Sequence, residues 1–238
     1  MPKTSSFLQK QKLALGVGAV IVVGIVVALS TVVIRDAPLG EYVEGEHYVI
    51  VDNPRRVRGD RVEVMEFFSY ACPHCYNFEP DLKDWVESNE EAVRFVRTPA
   101  VGNDYWLLLA RNYYTMEELG ILEDQHMAFF REIHDVKRQF TNPALLARHF
   151  DGKGTSESAY RDMWNSTAVA QKLSRADQMG RRLQVASVPS VVVHGKYMVK
   201  ISRAVGPNRM LDVVDHLVAK VQAEKAGAAA PAETTTGE

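Results

Sequence analysis

Cys72-Pro73-His74-Cys75 holds the only two cysteines of this chain. It stands just after the apolar run Val62–Phe68, with only Ser69-Tyr70-Ala71 between. That run is apolar on both alternating faces apart from Glu63 and Glu66, the pattern of a central strand covered on both sides. Pro73 suits the first turn of a helix, where its missing N–H costs nothing. The sequence therefore asks for a strand, a tight turn and a helix that begins at Cys72. Unpaired N–H groups and the helix dipole make such a terminus favour negative charge, so Cys72 is expected to be a stabilised thiolate, with His74 as a cationic or hydrogen-bonding partner. The C-x-x-C spacing lets a thiolate and a second thiol exchange a disulfide without moving the backbone. A structural zinc site would need four Cys or His ligands. The chain has no second cysteine pair and no H-x(3–5)-H, and His126, His134, His149 and His194 could meet only through folding. A pair of inert buried thiols is the other bland reading; redox chemistry is the favoured one.

The ends of the chain say where such chemistry would take place. Leu13 to Ile34 carries no charge, and as a helix it would be about 33 Å long, enough to cross a bilayer core. Lys3, Lys10 and Lys12 precede it; Arg35 and Asp36 follow, then Glu41, Glu44 and Glu46. The basic flank should stay in the cytoplasm, which sends residues 36–238 across the membrane. Ala28-Leu29-Ser30 has the small residues of a signal-peptidase site, so cleavage near Ser30 and release on the far side of the membrane is the alternative. The run continues through Val32, Val33 and Ile34, longer than a usual signal core, and favours a retained anchor. Either route takes the protein to an oxidising compartment. A formal net charge of −2 gives no sign of a nucleic-acid partner, and Arg55-Arg56-Val57-Arg58 reads as a solvated loop.

Its 238 residues allow one sizeable domain with an appendage, or two small domains. The expected fold class is α/β. Residues 1–12 form a basic cytoplasmic end, 13–34 the anchor or signal, and 35–60 an extended lead-in with a short strand at His47–Val51. The first part of an α/β domain, 61–102, holds the strand Val62–Phe68, a helix from Cys72 to about Ser88 and a strand at Ala92–Thr98. Pro80 predicts a kink near Asn77. Residues 103–184 read as a helical insertion, with helices at Glu123–His134, Pro143–Phe150, Ser156–Trp164 and Thr167–Leu183 after a first one around Trp106–Tyr113. The second part, 185–224, brings strands Ser190–His194 and Tyr197–Ile201 joined by a two-residue turn at Gly195-Lys196, then a helix from near Pro207 with Met210, Val214, Leu217 and Val221 on one face. Residues 225–238 offer little to bury and read as a disordered tail.

Strand, C-x-x-C at a helix start, strand, helical block, then two strands and a helix is the thioredoxin arrangement with a helical insertion. In detail the chain resembles the DsbA family of periplasmic thiol:disulfide oxidants. The likeness rests on Glu66–Glu79, which contains Cys72-Pro73-His74-Cys75, on Val188-Pro189-Ser190 followed by Val192–Tyr197, and more weakly on Met163-Trp164-Asn165-Ser166; it covers roughly residues 41–222. The resemblance implies that Cys72 is the exposed attacking thiol and Cys75 the buried resolving one, with His74 and Pro73 tuning them. It implies that Pro189 is a cis-proline facing the site and that Val188 offers its backbone to an extended substrate. Glu66 would be a buried acid beneath the cysteines. Arg97 falls where the family often has a lysine, and because arginine keeps its proton, charge pairing suits it better than proton relay. The implied activity is oxidation of exported proteins with free cysteines, by a monomer with no metal, flavin or nucleotide cofactor. Its implied reoxidant is a DsbB-like quinone-linked membrane protein, and a retained anchor would hold the enzyme at the inner membrane. A reductase or isomerase on the same fold and a non-enzymatic peptide-binding chaperone are the alternatives.

Overall fold

A computed structural model describes residues 42–229. The anchor or signal at 13–34 and the end of the tail lie outside the described residues, among which no helix is long and apolar enough to cross a membrane. Val62–Phe68 is β2, and all seven of its residues are buried. Burial on both faces follows from its composition, and it makes β2 the strand on which the other layers are built. The sheet also contains β1 (Val49–Ile50), β3 (Val93–Pro99), β4 (Ser190–Val193) and β5 (Tyr197–Lys200), in the order β1-β5-β4-β2-β3. β3 runs parallel to β2 on one side and β4 antiparallel to it on the other. The parallel register sets Glu66 opposite Arg97 and Glu63 opposite Arg94, so each strand acid faces a guanidinium.

The parallel crossover from β2 to β3 is α1 (Pro73–Ser88). Phe78, Leu82 and Trp85 of α1 join Val62, Val64, Val191, Val193 and Val199 of the sheet in one apolar cluster, which α7 (Met210–Ala229) closes with Val213, Val214, Leu217 and Val221. Trp85 Nε1 donates to Asp215 at 2.7 Å and so ties the two helices together. The opposite face of β2 packs Met65 and Phe67 against Val192, Met198 and Leu183. Between β3 and β4 come α2 (Asp104–Glu118), α3 (Leu122–His134), α4 (Pro143–Phe150), α5 (Glu157–Trp164) and α6 (Thr167–Arg182). Asn103, Asn142, Ser156 and Ser166 cap α2, α4, α5 and α6 through side-chain oxygens that accept from the first turn, which satisfies donors that would otherwise be orphaned. The core of this helical block is continuous with Phe68, Tyr70, Cys72 and Cys75, so the end of β2 and the start of α1 sit where sheet and helical layer meet.

Three local expectations need correction. Only Val49 and Ile50 of His47–Val51 form strand, because β5 offers partners to those two residues alone. The β4–β5 turn is centred on His194 and Gly195, both at positive φ (52° and 67°), with Lys196 N–H donating to Val193 O. That is the sign pattern of a type I′ turn, which matches the twist of the strands it joins; His194 has therefore left the strand. A Cβ on Gly195 would lie 2.7 Å from the Arg55 carbonyl oxygen, so the turn needs glycine there. Finally, α7 runs past the expected boundary of the tail at 225 to Ala229. Alanine carries the strongest helix propensity, and Lys225 Nζ ties that turn to the Gly59 and Asp60 carbonyls at 2.9 and 2.5 Å. Helix α1 passes through Pro80 as a single element.

Candidate active site

Cys72 is the N-cap of α1, in extended backbone (φ −90°, ψ 116°), with Pro73 in the first turn. Its Sγ accepts the N–H of Cys75 at 3.4 Å. The same sulfur lies 3.4 Å from the carbonyl oxygen of Val188, whose peptide bond to Pro189 is cis. The two segments that carry the resemblance, far apart in sequence, thus meet at one sulfur atom. Cys75 is fully buried, and Cys72 keeps 8 % of its surface. Cys72 is less open than an exposed thiol because Val188 and the helical core close over it. Both cysteines are free thiols here.

The two sulfurs differ sharply in acidity. The side chain of Cys75 is the largest influence on Cys72; the N–H groups of Cys75 and His74 and the charge of His74 add to it. Together they outweigh burial and pull the Cys72 thiol down from 9.0 to about 6. This is the expected behaviour of a thiolate at a helix N-terminus. Burial pushes the Cys75 thiol far up, and Cys72 and the Glu66 carboxylate push the same way. His74 itself is exposed, and its charge is the smallest of the influences named.

Beneath the cysteines lies a buried ionic cluster. Glu66, fully buried, accepts from Arg97 Nε at 3.1 Å, and Arg97 Nη2 donates to Glu79 Oε1 at 2.5 Å. One guanidinium therefore serves two carboxylates. Burial raises both acids from 4.5 to about 7, against the pull of Arg97. Burial also works against the charge of Arg97, but Glu66 and Glu79 win and hold it protonated above its ordinary value. His126 of α3 lies 3.3 Å from Glu79 Oε2 through Nε2 and 2.6 Å from Tyr70 Oη through Nδ1. Burial, then Arg97, lowers its pKa well below 6.5 and keeps the ring neutral. The buried side-chain atoms left without a hydrogen-bond partner among the described residues include Glu66 Oε1, Glu79 Oε2 and His126 Nε2.

Of the residues singled out from the sequence, the fold brings Cys72, Cys75, Val188 and Pro189 to one point and sets Glu66 and Arg97 below them. Glu79 and His126 were not singled out for this cluster. Glu79 was legible in principle: it lies one helical turn from Cys75, on the face of α1 that also buries Phe78 and Leu82. His126 was not, because only the packing of α3 on α1 brings it to Glu79.

Comparison with known proteins gives the same picture. The DSBA-like thioredoxin domain family matches residues 98–218. A thiol:disulfide interchange protein DsbA from Pseudomonas aeruginosa is 35 % identical over 188 residues, 79 % of this chain and 89 % of that one. Its counterpart from Azotobacter vinelandii is 33 % identical, over 75 % and 81 %. The crystal structure of Pseudomonas aeruginosa DsbA superposes with a TM-score of 0.74 at 34 % identity, covering 78 % of this chain and 97 % of that one. That of Xylella fastidiosa DsbA gives 0.71 at 30 % identity, over 76 % and 98 %. A thioredoxin-like sheet interrupted by a helical block, a paired C-x-x-C of unequal acidity and relatives over most of its length together place the chain in the DsbA family, as an enzyme of thiol:disulfide exchange that works as an oxidase.

Proposed function

We propose that Cys72 is the sulfur that substrates attack and Cys75 the thiol that resolves. The observation that supports this best is their asymmetry: Cys72 keeps 8 % of its surface, accepts a backbone N–H and is acidic, whereas Cys75 is fully enclosed and held protonated. In the oxidised enzyme a substrate thiolate attacks Cys72 Sγ. The Cys72–Cys75 bond breaks, and Cys75 leaves and takes a proton. A second substrate thiolate then attacks the substrate sulfur of the mixed disulfide and expels Cys72 as a thiolate. The substrate has lost two electrons and the enzyme has gained them. Because Cys72 is a stable anion, it leaves readily and the reduced enzyme is favoured. DsbA enzymes are the standing example of this coupling between an acidic cysteine and a strongly oxidising disulfide.

Pro73 and His74 support the Cys72 thiolate in this reading, His74 as a minor contributor. Val188 and Pro189 hold an extended substrate beside the sulfur. Glu66 exchanges a proton with Cys75, and Arg97 balances its charge. The substrates are exported proteins with free cysteines, and a DsbB-like quinone-linked membrane protein takes the electrons. Residues 13–34 anchor a monomer to the periplasmic face of the inner membrane, where tethering raises its effective concentration near that reoxidant; cleavage near Ser30 would release it instead.

The test is Cys75→Ser in cells. It should accumulate mixed disulfides through Cys72 that a reducing agent dissolves. Accumulation through residue 75 in a Cys72→Ser variant, with none through Cys72, would reverse the assignment. N-terminal sequencing of the fractionated protein decides between anchor and signal.

A further inference from the structure

The end of the sheet opposite the cysteines is basic, and the fold builds it deliberately from distant segments. Arg55-Arg56-Val57-Arg58, a solvated loop on sequence grounds, is strapped down across it. Val51 N–H donates to Lys196 O at 3.0 Å and Arg55 N–H to Gly195 O at 2.9 Å, so the strap follows the β4–β5 turn. Arg182 Nη2, at the end of α6, donates to Pro54 O at 3.2 Å, and Arg61 Nη1 donates to Glu90 O at 3.0 Å. Lys225 of α7 holds the Gly59 and Asp60 carbonyls. The rivet is Glu63, 2 % exposed, which pairs with Arg55 through one oxygen and with Arg94 through the other.

This arrangement leaves positive charge over. Glu63 neutralises one of the two guanidiniums on it, and Arg182 and Lys225 donate to carbonyls rather than to acids. Arg56, Arg58 and Arg61 are exposed, and none of them forms an ion pair among the described residues. The other acids close by in the chain are Asp52 and Asp60 of the strap and Glu90 and Glu91 beside Arg61, fewer than the cations; Glu224 is taken by Lys196. The face is thus positive in a chain whose net charge is −2. Two buried neighbours feel it. Burial, then Arg94 and Arg182, lowers the pKa of Arg55, and burial, then Lys225 and Arg55, lowers that of His194. Clustered guanidiniums are forked donors that match phosphate oxygens.

The basic face and the redox site lie at opposite ends of the sheet. Arg61 immediately precedes β2 and His194-Gly195 follows β4, whereas Cys72 comes after the end of β2 and Pro189 just before the start of β4. Seven residues of strand span about 20 Å. Only residues 35–41 separate Ile34 from Tyr42. If 13–34 is an anchor, so short a link keeps the domain beside the bilayer, where even weak contacts with anionic lipid are held. We propose that this face docks on the phosphate headgroups of anionic phospholipids and so turns Cys72 away from the bilayer, toward exported substrates. The proposal rests on the reading of residues 13–34 as an anchor.

The test is arginine-specific dicarbonyl labelling of the full chain in phospholipid nanodiscs, read residue by residue by mass spectrometry. The discs are phosphatidylcholine alone, or phosphatidylcholine with an equal part of phosphatidylglycerol. Labelling of Arg56, Arg58 and Arg61 should fall about fivefold or more in the anionic discs, the effect of one retained contact. Salt at about 1 M should restore it, because the screening length is then about 3 Å. Arg138, four residues past the His134 that contacts Tyr70 on the cysteine side, should label equally in both. In Arg56→Gln/Arg58→Gln/Arg61→Gln, which leaves the Arg55 rivet in place, Arg94 and Arg182 should lose their protection in anionic discs. Equal labelling of the strap in the two discs, the same protection from inorganic phosphate without anionic lipid, or protection of Arg138 in place of the strap would overturn the proposal. A mature chain that begins near Thr31 would strike the anchor reading instead. The released protein is then labelled with excess vesicles of the same two compositions: protection of the strap by the anionic vesicles alone upholds the docking face, and its absence refutes it.

Discussion

The depressed acidity of Cys72 fixes how the redox potential must change with pH. On reduction below the Cys72 pKa, both sulfurs take up protons; above it only Cys75 does, because its own pKa is raised far out of range. For a two-electron couple the potential then falls by about 59 mV per pH unit on the acid side and by about 30 mV per unit beyond the break. The thiol drops from 9.0 to about 6, so across that window the site gains about 90 mV of oxidising power, or about 4 kcal/mol, over a site with an ordinary thiol. Cys72 keeps 8 % of its surface, and solvent screening there trims the gain to roughly half, about 2 kcal/mol. The sign follows from linkage: the folded pKa is depressed, so the reduced form holds this stability fully above 9.0 and loses it as pH falls through about 6. The oxidised form has no thiol and no such dependence. Equilibration with a glutathione buffer from about pH 5 to about pH 9, with the oxidised fraction read by thiol alkylation, gives the curve directly. A single slope of about 59 mV per unit through about pH 8.5 would refute the argument. A break that moves in Glu66→Gln would belong to the buried carboxylates instead.

Three further outcomes follow from the same geometry. His74→Ala should raise the Cys72 pKa and make the disulfide less oxidising. Because the His74 charge is the least of the named influences, the potential should fall by no more than about 30 mV, one pKa unit in a two-electron couple; a larger loss would mean that His74 contacts the sulfur directly. Glu66→Gln should flatten the pH dependence of stability. The folded pKa of Glu66 is raised to about 7, so its contribution is present below 4.5 and lost as pH rises through about 7, and unfolding curves at acid and neutral pH should draw together in the variant. Tyr160→Phe should lower stability by about 1–3 kcal/mol, because it leaves buried Asn112 Oδ1 without the hydroxyl that donates to it at 2.6 Å; a neutral result in chemical denaturation would show that this bond adds no net stability.

Much of the scaffold could be read from local pattern. The alternation of Val62–Phe68 on both faces, the prolines at helix starts and the Asn and Ser caps are short-range signals, and the helices they predict at Pro143–Phe150 and Thr167–Leu183 are found within a residue of those bounds. Where the local signal was weak, the boundaries moved. His47–Val51 shrank to what β5 could pair, and His194 was drawn into the turn by the twist of the strands it joins. The cysteine pair was legible for the same reason, since helix position and spacing carry its chemistry. Which elements form and which sulfur starts the helix were thus written in the chain alone, because these depend on residues within a few positions of one another. What surrounds those sulfurs came from closure of the chain: Val188 at 3.4 Å from Cys72, one guanidinium between Glu66 and Glu79, and His126 against Glu79. Those contacts join segments many residues apart, and their energies come from burial and charge pairing, which exist only once the chain has closed on itself.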